Sequence, residues 1–592
     1  MNIFDISKQL SENYNSTVEI AEGLEYSLKD TNKQIDYIAN SKYLSGNLDE
    51  FGREKPYYNI ANYRHNVAVR ATDFDTKDVT IVSETRDYVR SLLIGKKVRQ
   101  WMKDKVFAKD LNRMGEKRPK YGWILVKKVM EDGELDIQIV KHSNAIVDQT
   151  DVFRSPIKEL HPAMTRAELV AKKGIWNDEA IDRLLARDVD EYEICEITGE
   201  MPDSVMDDGD ENTFSMYRFF ICEDSKSEDG EILFQETLKE GTTIEDYYMF
   251  CGWAEQDGRL PRGVFEDMFE AQTGTNETKL LERDAVIMAS KTGFWTDGET
   301  IENNIITDLD NGFILKLDKG ETFSQVNTMT NALPAFDRLK DDWDTQAEKV
   351  TSTFDALTGE TLPSGTPFRS VAIQNQEASS LFIYRREEMG IFLTELFNNW
   401  IIPDIIKDIN REWILSAEFS ADELAKIDER FGIYKANEVI KDKLMNLELD
   451  VDFTAEKYEE SIQSYVELLQ ETDNTRFLEV PKGYFKDFKF KVSVITTNEQ
   501  RNKAATLESL SNILGQVSST FDPNTGTFAM LENPALASIF SQAVELSGAG
   551  ISPVTLNKLQ SSQGTPNIAP QQAQSQPEGI TEETGSQAEG VN

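Results

Sequence analysis

The stretch Pro334-Ala335-Phe336-Asp337-Arg338-Leu339-Lys340-Asp341-Asp342-Trp343-Asp344-Thr345-Gln346-Ala347-Glu348-Lys349-Val350-Thr351-Ser352-Thr353-Phe354-Asp355-Ala356-Leu357 decides the architecture. Its apolar residues Phe336, Leu339, Trp343, Ala347, Val350, Phe354 and Leu357 recur at intervals of 3, 4, 4, 3, 4 and 3. That spacing predicts one helix with a single narrow apolar stripe, about 36 Å long. Asp337, Lys340, Asp341, Asp344, Glu348 and Lys349 take its other faces. Such a helix packs on neighbouring helices along one side and meets water on the other.

The flanking sequence extends the pattern. Gly359-Glu360-Thr361-Leu362-Pro363-Ser364-Gly365 reads as a loop, followed by Thr366 as N-cap and Pro367 at the first helical position. A helix of about 54 Å then runs to Ile402, where Pro403 kinks or ends it before Trp413. Upstream, Leu260-Pro261-Arg262-Gly263 is a breaker, and a helical pattern spans Val264 to Ser290. Residues 299–332 read as short strands, with Asp318-Lys319-Gly320 as a turn. The order is helix, β-rich insert, helix, loop, very long helix. Helices well beyond three to four turns suggest a fibrous or ring-forming architecture.

The rest of the chain is mixed. Residues 1–55 show helical patterns without a clear core signal. Between Arg86 and Lys128 there are 14 Lys/Arg against 4 Asp/Glu, on one or two amphipathic helices. Trp123–Val126 and Leu135–Val140 flank Glu131-Asp132-Gly133 and predict a hairpin. Thr165 with Glu168 predicts a capping box. Residues 188–250 alternate strand-like runs with acidic loops and hold 20 acids and 3 bases. Residues 418–480 read as shorter acidic helices, and Phe488–Val494 as a strand. Helices are expected over 498–517 and 533–546, then a tail rich in Gln, Ser, Pro and Gly without apolar period. The fold class is α+β, predominantly helical.

Composition narrows the function. The 592 residues carry a formal charge of −42, and the hydrophobic share of 39% and aromatic share of 10% mark a folded protein with an acidic surface. Tight non-specific DNA binding by counterion release is disfavoured by that charge. Cys195, Cys222 and Cys251 have no CxxC spacing and are expected to be reduced core thiols. No secretion signal is read at Met1–Asp5, and no segment approaches the ~20 apolar residues of a membrane span.

Catalytic motifs are not found. His65, His142 and His161 form no HExxH, Gly95-Lys96 lacks the rest of a phosphate loop, and no GxGxxG occurs. Asp308-Leu309-Asp310-Asn311-Gly312 lacks the glycine and glutamate of a calcium loop and reads as a turn. No catalytic residue, metal site or cofactor is expected. The basic stretch reads as a helix face paired with acidic segments of this chain or a neighbouring subunit, in preference to a nucleic-acid site.

This order of features resembles the portal proteins of tailed double-stranded DNA phages, over residues 50–550. Leu135–Val140 through Asn144-Ala145-Ile146-Val147-Asp148 to Asp151 is similar to the wing strand and its acidic turn. Gly258-Arg259-Leu260-Pro261-Arg262-Gly263-Val264-Phe265-Glu266-Asp267 resembles the lead-in to the first stem helix. Thr366-Pro367-Phe368-Arg369-Ser370-Val371-Ala372 falls where portals leave the tunnel loop. Phe490–Val494 with Asn498-Glu499-Gln500-Arg501-Asn502-Lys503 resembles the approach to the crown.

The resemblance implies these boundaries: an N-terminal segment 1–55, wing 56–257, first stem helix 258–293, clip 294–332 and second stem helix 333–358. A tunnel loop 359–366, long wing helix 367–415, wing return and crown 416–550 and disordered tail 551–592 complete it. It also implies a ring, usually of twelve subunits, at one capsid vertex, assembled in the host cytoplasm and retained in the virion. Its partners would be the major capsid protein, duplex DNA in the channel, the terminase large subunit, and then head-tail connector or tail proteins, with no membrane and no covalent chemistry. The loop Gly359, Glu360, Thr361, Leu362, Pro363, Ser364, Gly365 would face the channel. Phe336, Leu339, Trp343, Val350 and Phe354 would pack the stem. Lys340, Lys349 and Arg369 would be sparse DNA contacts, or else pair with acids such as Asp344 or Glu360. Across twelve subunits the charge would total about −500 before counterions, which demands ion screening and strong subunit packing.

Two other classes compete. One is another virion structural protein, tail or scaffold, although a scaffold would show less aromatic content and no β-rich insert between long helices. A Mg²⁺-dependent nucleic-acid-processing enzyme would need clustered acids, with Asp148 and Asp151 as its candidates.

Overall fold

The structure is a computed structural model that describes residues 2–76, 79–83, 88–131, 133–187, 189–206, 210, 212–223, 230–290, 293–297, 319–320, 322–326, 333–354, 368–409, 414–415, 421–446, 455–470, 477–478, 484–485, 490–494, 521–522 and 527–528. Of these, 55% are helical and 22% lie in strands, so the fold is mixed α+β. The chain divides into two compact units, residues 1–414 with 477–497, and 415–476 with 498–592.

Two antiparallel sheets organise the first unit. The larger has five strands in the order Glu231–Thr237, Phe214–Cys222, Glu191–Pro202, Ile157–Thr165, Ala145–Ile146. The smaller places Trp123–Glu131 between Tyr248–Gly252 and Glu134–Ile139. The expected hairpin is therefore present, with Val126 opposite Ile139 and Gly133 at φ +84°. The capping box at Thr165 is present too: Glu168 N–H donates to Thr165 Oγ1 at 3.3 Å, and Thr165 N–H to Glu168 Oε2 at 2.8 Å. Phe490–Val494 pairs antiparallel with Val79–Ser83.

The N-terminal residues are core rather than a loose lead. Ile3, Ile6 and Leu10 of the Ile3–Asn15 helix pack with Cys195, Ile197 and Phe219 of the large sheet. Leu28 joins Trp123 and Leu125, and Ile35 and Ile38 join Trp253 and Phe265. The apolar spacing in these two short helices was there to read, but each supplies only three or four core residues.

The basic stretch forms two helices, Tyr88–Asp104 and Phe107–Tyr121, broken at Val106 with φ +52°. Gly122 caps the second at φ +87°, and a Cβ there would lie 2.2 Å from Pro261 O. Gly263 meets Gly122 from the other side, with its would-be Cβ 2.5 Å from Gly122 N. Only paired glycines let this helix end approach the strand Arg259–Arg262 so closely. That strand pairs with Ala254–Gln256, where a plain breaker was expected.

The three helices at the heart of the pattern differ from expectation at their ends. The first is interrupted at Met268 between Val264–Asp267 and Phe269–Ala289. A hairpin follows, Gly293–Thr296 against Phe323–Val326. The next helix runs Leu333–Thr351 and stops short of Leu357, because Ser352 turns left-handed at φ +57°. The long helix spans Phe368–Leu396, widens into a π turn at Phe397–Ile401, and continues as Ile402–Ile409. Pro403 cannot donate the N–H of a regular turn, and the wider turn before it absorbs the mismatch.

In the second unit the helices Ala421–Met445 and Ala455–Gln470 pack together. Val466 rests on Gly432, and Tyr458 Oη donates to Asn437 Oδ1 at 2.8 Å. The helices expected at 498–517 and 533–546, and the tail, lie outside the described residues. Among the described residues no helix is long and apolar enough to cross a membrane.

All three cysteines are free and buried. Burial pushes the Cys195 thiol up to about 12 and Cys251 to about 11. Native protein is therefore expected to show no reaction with Ellman's reagent at pH 8, and three thiols once unfolded. Rapid labelling of the folded chain would contradict this packing.

Candidate functional site

The described part of the helix, insert, helix, loop, long-helix order forms an asymmetric surface. On Phe269–Ala289 the buried residues are Ala271, Gln272, Gly274, Thr275, Asn276 and Thr278, all in its first half. The second half exposes Leu281 (55%), Val286 (50%) and Met288 (57%), and the hairpin exposes Trp295 (51%). Two of the polar residues in the docked half hold the adjoining loop: Gln272 Nε2 donates to Tyr58 O at 2.8 Å, and Tyr58 N–H donates to Asn276 Oδ1 at 3.0 Å.

The stripe Phe336 to Phe354 divides in the same way. Ala347 is fully buried, and Trp343 packs against the cluster around Phe265, Met268 and Phe382. Gly274 makes room for that indole, since a Cβ there would lie 2.3 Å from Trp343 Cε2. Phe336 is half-buried, whereas Leu339 (41%), Val350 (40%) and Phe354 (38%) remain exposed in the single chain. Among the described residues, only the middle of the stripe is thus buried. On the long helix Phe382, Met389, Phe392, Leu393 and Leu396 are buried, while Ile383, Tyr384 and Ile391 are exposed.

Two buried arginines fix these helices. Arg64, on Ile60–Ala71, donates Nη1 to Thr353 O at 2.7 Å and Nη2 to Asp344 Oδ1 at 3.0 Å and Glu348 Oε1 at 2.8 Å. Arg118 donates to Gly252 O at 2.7 Å, to Arg385 O at 2.6 Å and to Glu388 Oε2 at 3.0 Å, which ties the long helix to the small sheet. Neither arginine stands out in the sequence, because a lone arginine in an amphipathic helix normally reads as surface.

The candidate DNA contacts are placed as follows. Lys340 lies over the Tyr58 ring, 5.6 Å from its centre. Its proposed partner Asp344 is taken by Arg64. Lys349 is exposed in the last turn of its helix. Arg369 belongs to the long helix. The loop Gly359–Gly365, Glu360, Leu357, the 308–312 turn and most of the 294–332 insert lie outside the described residues.

Asp148 and Asp151 build a turn. Asp148 Oδ1 accepts from Thr150 N–H at 2.8 Å and Asp151 N–H at 3.2 Å, and Asp151 Oδ1 accepts from Phe153 N–H at 3.0 Å. One carboxylate oxygen of each caps backbone N–H groups, so the role the structure shows for the two residues is to hold this turn.

A denser cluster lies between the sheets. Lys127 bridges Glu159, at 3.0 Å, and Glu196, and all three side chains are at most 7% exposed. His161 Nε2 and Arg218 Nε each lie 3.5 Å from Glu196. Glu159, His161 and Glu196 could geometrically surround a cation, their ligand atoms lying within 4.8 Å of one another, and the ammonium of Lys127 supplies that positive charge. Burial alone would raise the Glu196 carboxyl; Lys127, His161 and Arg218 outweigh it and hold it at about 2. The sequence signal is Lys127 in a strand where alternation with Leu125 assigns the inward face. The other histidines are structural. His142 stacks on Tyr121 at 4.0 Å, donates its Nε2–H to Trp123 O at 2.8 Å, and is lowered to about 3 by burial. His65 meets Glu116 O at 2.9 Å.

No protein-family model matches this chain, and no curated protein matches it.

Proposed function

We propose that this chain is a portal protein, a ring-forming conduit at one vertex of a tailed-phage capsid. Twelve copies would pass duplex DNA during packaging and ejection, and would bind the major capsid protein, the terminase large subunit and then head-tail connector or tail proteins. The observation that carries this reading is the apolar surface left open on consecutive helices of one chain: Leu281, Val286 and Met288 on one, Leu339 and Val350 on the next. Contiguous exposed apolar surface marks a protein interface, and Leu281 and Met288, seven residues apart, share one face of their helix. A heterologous interface between identical subunits closes into a ring when its rotation allows. Residues 359–366 would form the tunnel loop, and Lys340, Lys349 and Arg369 the sparse phosphate contacts.

Electron microscopy of the purified full chain tests this directly. Closed rings with a central hole wide enough for duplex DNA are expected. Replacing Leu281, Val286 and Met288 together by serine is expected to reduce rings to single subunits with the fold retained. A monomer at all concentrations, or rings indifferent to the triple substitution, would remove the reading's main support.

A further inference from the structure

The helix Phe107–Tyr121 carries Lys109, Arg113 and Lys117 four residues apart, so their side chains rise from one face at intervals of about 6 Å. Arg113 makes one weak surface pair, with Asp110 at 3.3 Å. Lys109, Lys117 and the exposed Lys141 form no ion pair or side-chain hydrogen bond among the described residues. Lys117 is half-buried, and its ammonium is destabilised by burial first and then by Arg113, Lys141 and Lys120, with Glu116 as the opposing charge. An unpaired, half-buried cation beside three others is a site that an anionic surface relieves.

A matching surface exists on the same chain. Asp190, Glu191 and Glu193, at the start of the Glu191–Pro202 strand, are exposed and form no ion pair among the described residues. Glu191 and Glu193 are two strand residues apart, a spacing of about 6.6 Å that matches one step of the basic ridge. The described residues of one chain do not pair the two patches. We infer that the ridge Lys109, Arg113, Lys117 and Lys141 docks on Asp190, Glu191 and Glu193 of a second copy, head to tail. This contact rests on the ring reading and adds to its apolar helices a polar, register-setting component. A nucleic acid fits less well. The chain as a whole carries −42 and repels a polyanion.

The experiment is mass photometry of the full chain in low and high salt, with two charge reversals and their combination. Lys109→Glu with Arg113→Glu and Lys117→Glu is expected to weaken assembly at least about tenfold at low salt, as is Asp190→Lys with Glu191→Lys and Glu193→Lys. All six together are expected to restore it. If the glutamate variant fails to fold by circular dichroism, Lys109→Gln with Arg113→Gln and Lys117→Gln removes the ridge charge more gently. Assembly unchanged by either reversal, or unrestored by the combination, overturns the contact. So does loss of binding to a duplex DNA oligonucleotide with assembly intact, which would make the ridge a nucleic-acid surface. Rings insensitive to the reversals keep the ring and discard this contact. Open, charge-dependent oligomers keep the contact and discard the ring; a wild-type monomer discards both.

Discussion

Lys127→Met is expected to cost about 3–5 kcal/mol of stability in the first unit at pH 7. The ammonium is the near counter-charge of two buried carboxylates, Glu159 and Glu196. Removing it leaves both desolvated, with Arg218 and His161 3.5 Å from Glu196 as the remaining support. Burial would also lower the Lys127 ammonium; Tyr248, Glu196 and Glu159 outweigh it and raise its pKa above the ordinary lysine value. The pair is therefore held charged from both sides.

The pH dependence has a definite sign. In the wild type Glu196 is depressed to about 2, so its contribution is full above the ordinary glutamate range and fades as pH falls toward 2. In Lys127→Met, burial dominates and the Glu196 pKa rises. Its protonated form is then the better tolerated one, and the variant's deficit should shrink as pH falls from 7 to 4. Hydrogen exchange of the amides in Trp123–Glu131 and Glu191–Pro202 reads this locally, which suits a chain of two units better than a global melting curve. Adding Glu159→Gln and Glu196→Gln should recover most of the loss. A deficit independent of pH would mean that Lys127 contributes packing and not charge.

Periodicity made the secondary structure legible where one face was clearly apolar. The Trp123–Ile139 hairpin, the Thr165 cap, the strand at Phe490 and the helices after Gly263 all follow from local pattern. The ends were less legible, because they depend on distant partners. Thr353 O is claimed by Arg64, 289 positions away, and no local rule reports that bond. The N-terminal helices were under-read because their few apolar residues gain meaning only against Trp253, Phe265 and the large sheet. Of the candidate site, the sequence stripe was visible while its division was not: Trp343 is inside because Gly274 makes room, whereas Leu339 stays 41% exposed. The buried ionic cluster joins strands 69 positions apart through Lys127 and Glu196, and charged residues in strands read as solvent-facing until the second sheet is in place.

Arg64→Met is expected to destabilise the end of the Leu333–Thr351 helix by about 2–3 kcal/mol. The effect is smaller than at Lys127 because the stranded partners are wetter: Asp344 is 50% exposed and Glu348 19%. Much of the cost comes from Thr353 O, which loses its guanidinium donor, while Thr351 and Thr353 keep their own hydroxyl contact at 2.7 Å. Without the guanidinium, the Thr351–Thr353 hydroxyl contact is left to hold the left-handed turn at Ser352, a strained conformation for a residue with a side chain. The last helical turn should then fray, which exchange of the amides from Ala347 to Thr351 would detect as faster opening. Residues 355–367 leave from this point, so on the portal reading rings should still form while the yield of DNA-filled particles falls. Arg64→Lys should rescue little, since one ammonium cannot hold a carbonyl and two carboxylates in the guanidinium's planar geometry. Unchanged exchange in the last turn would show that the helix end is held by its apolar contacts alone, and would sever Arg64 from the segment that follows.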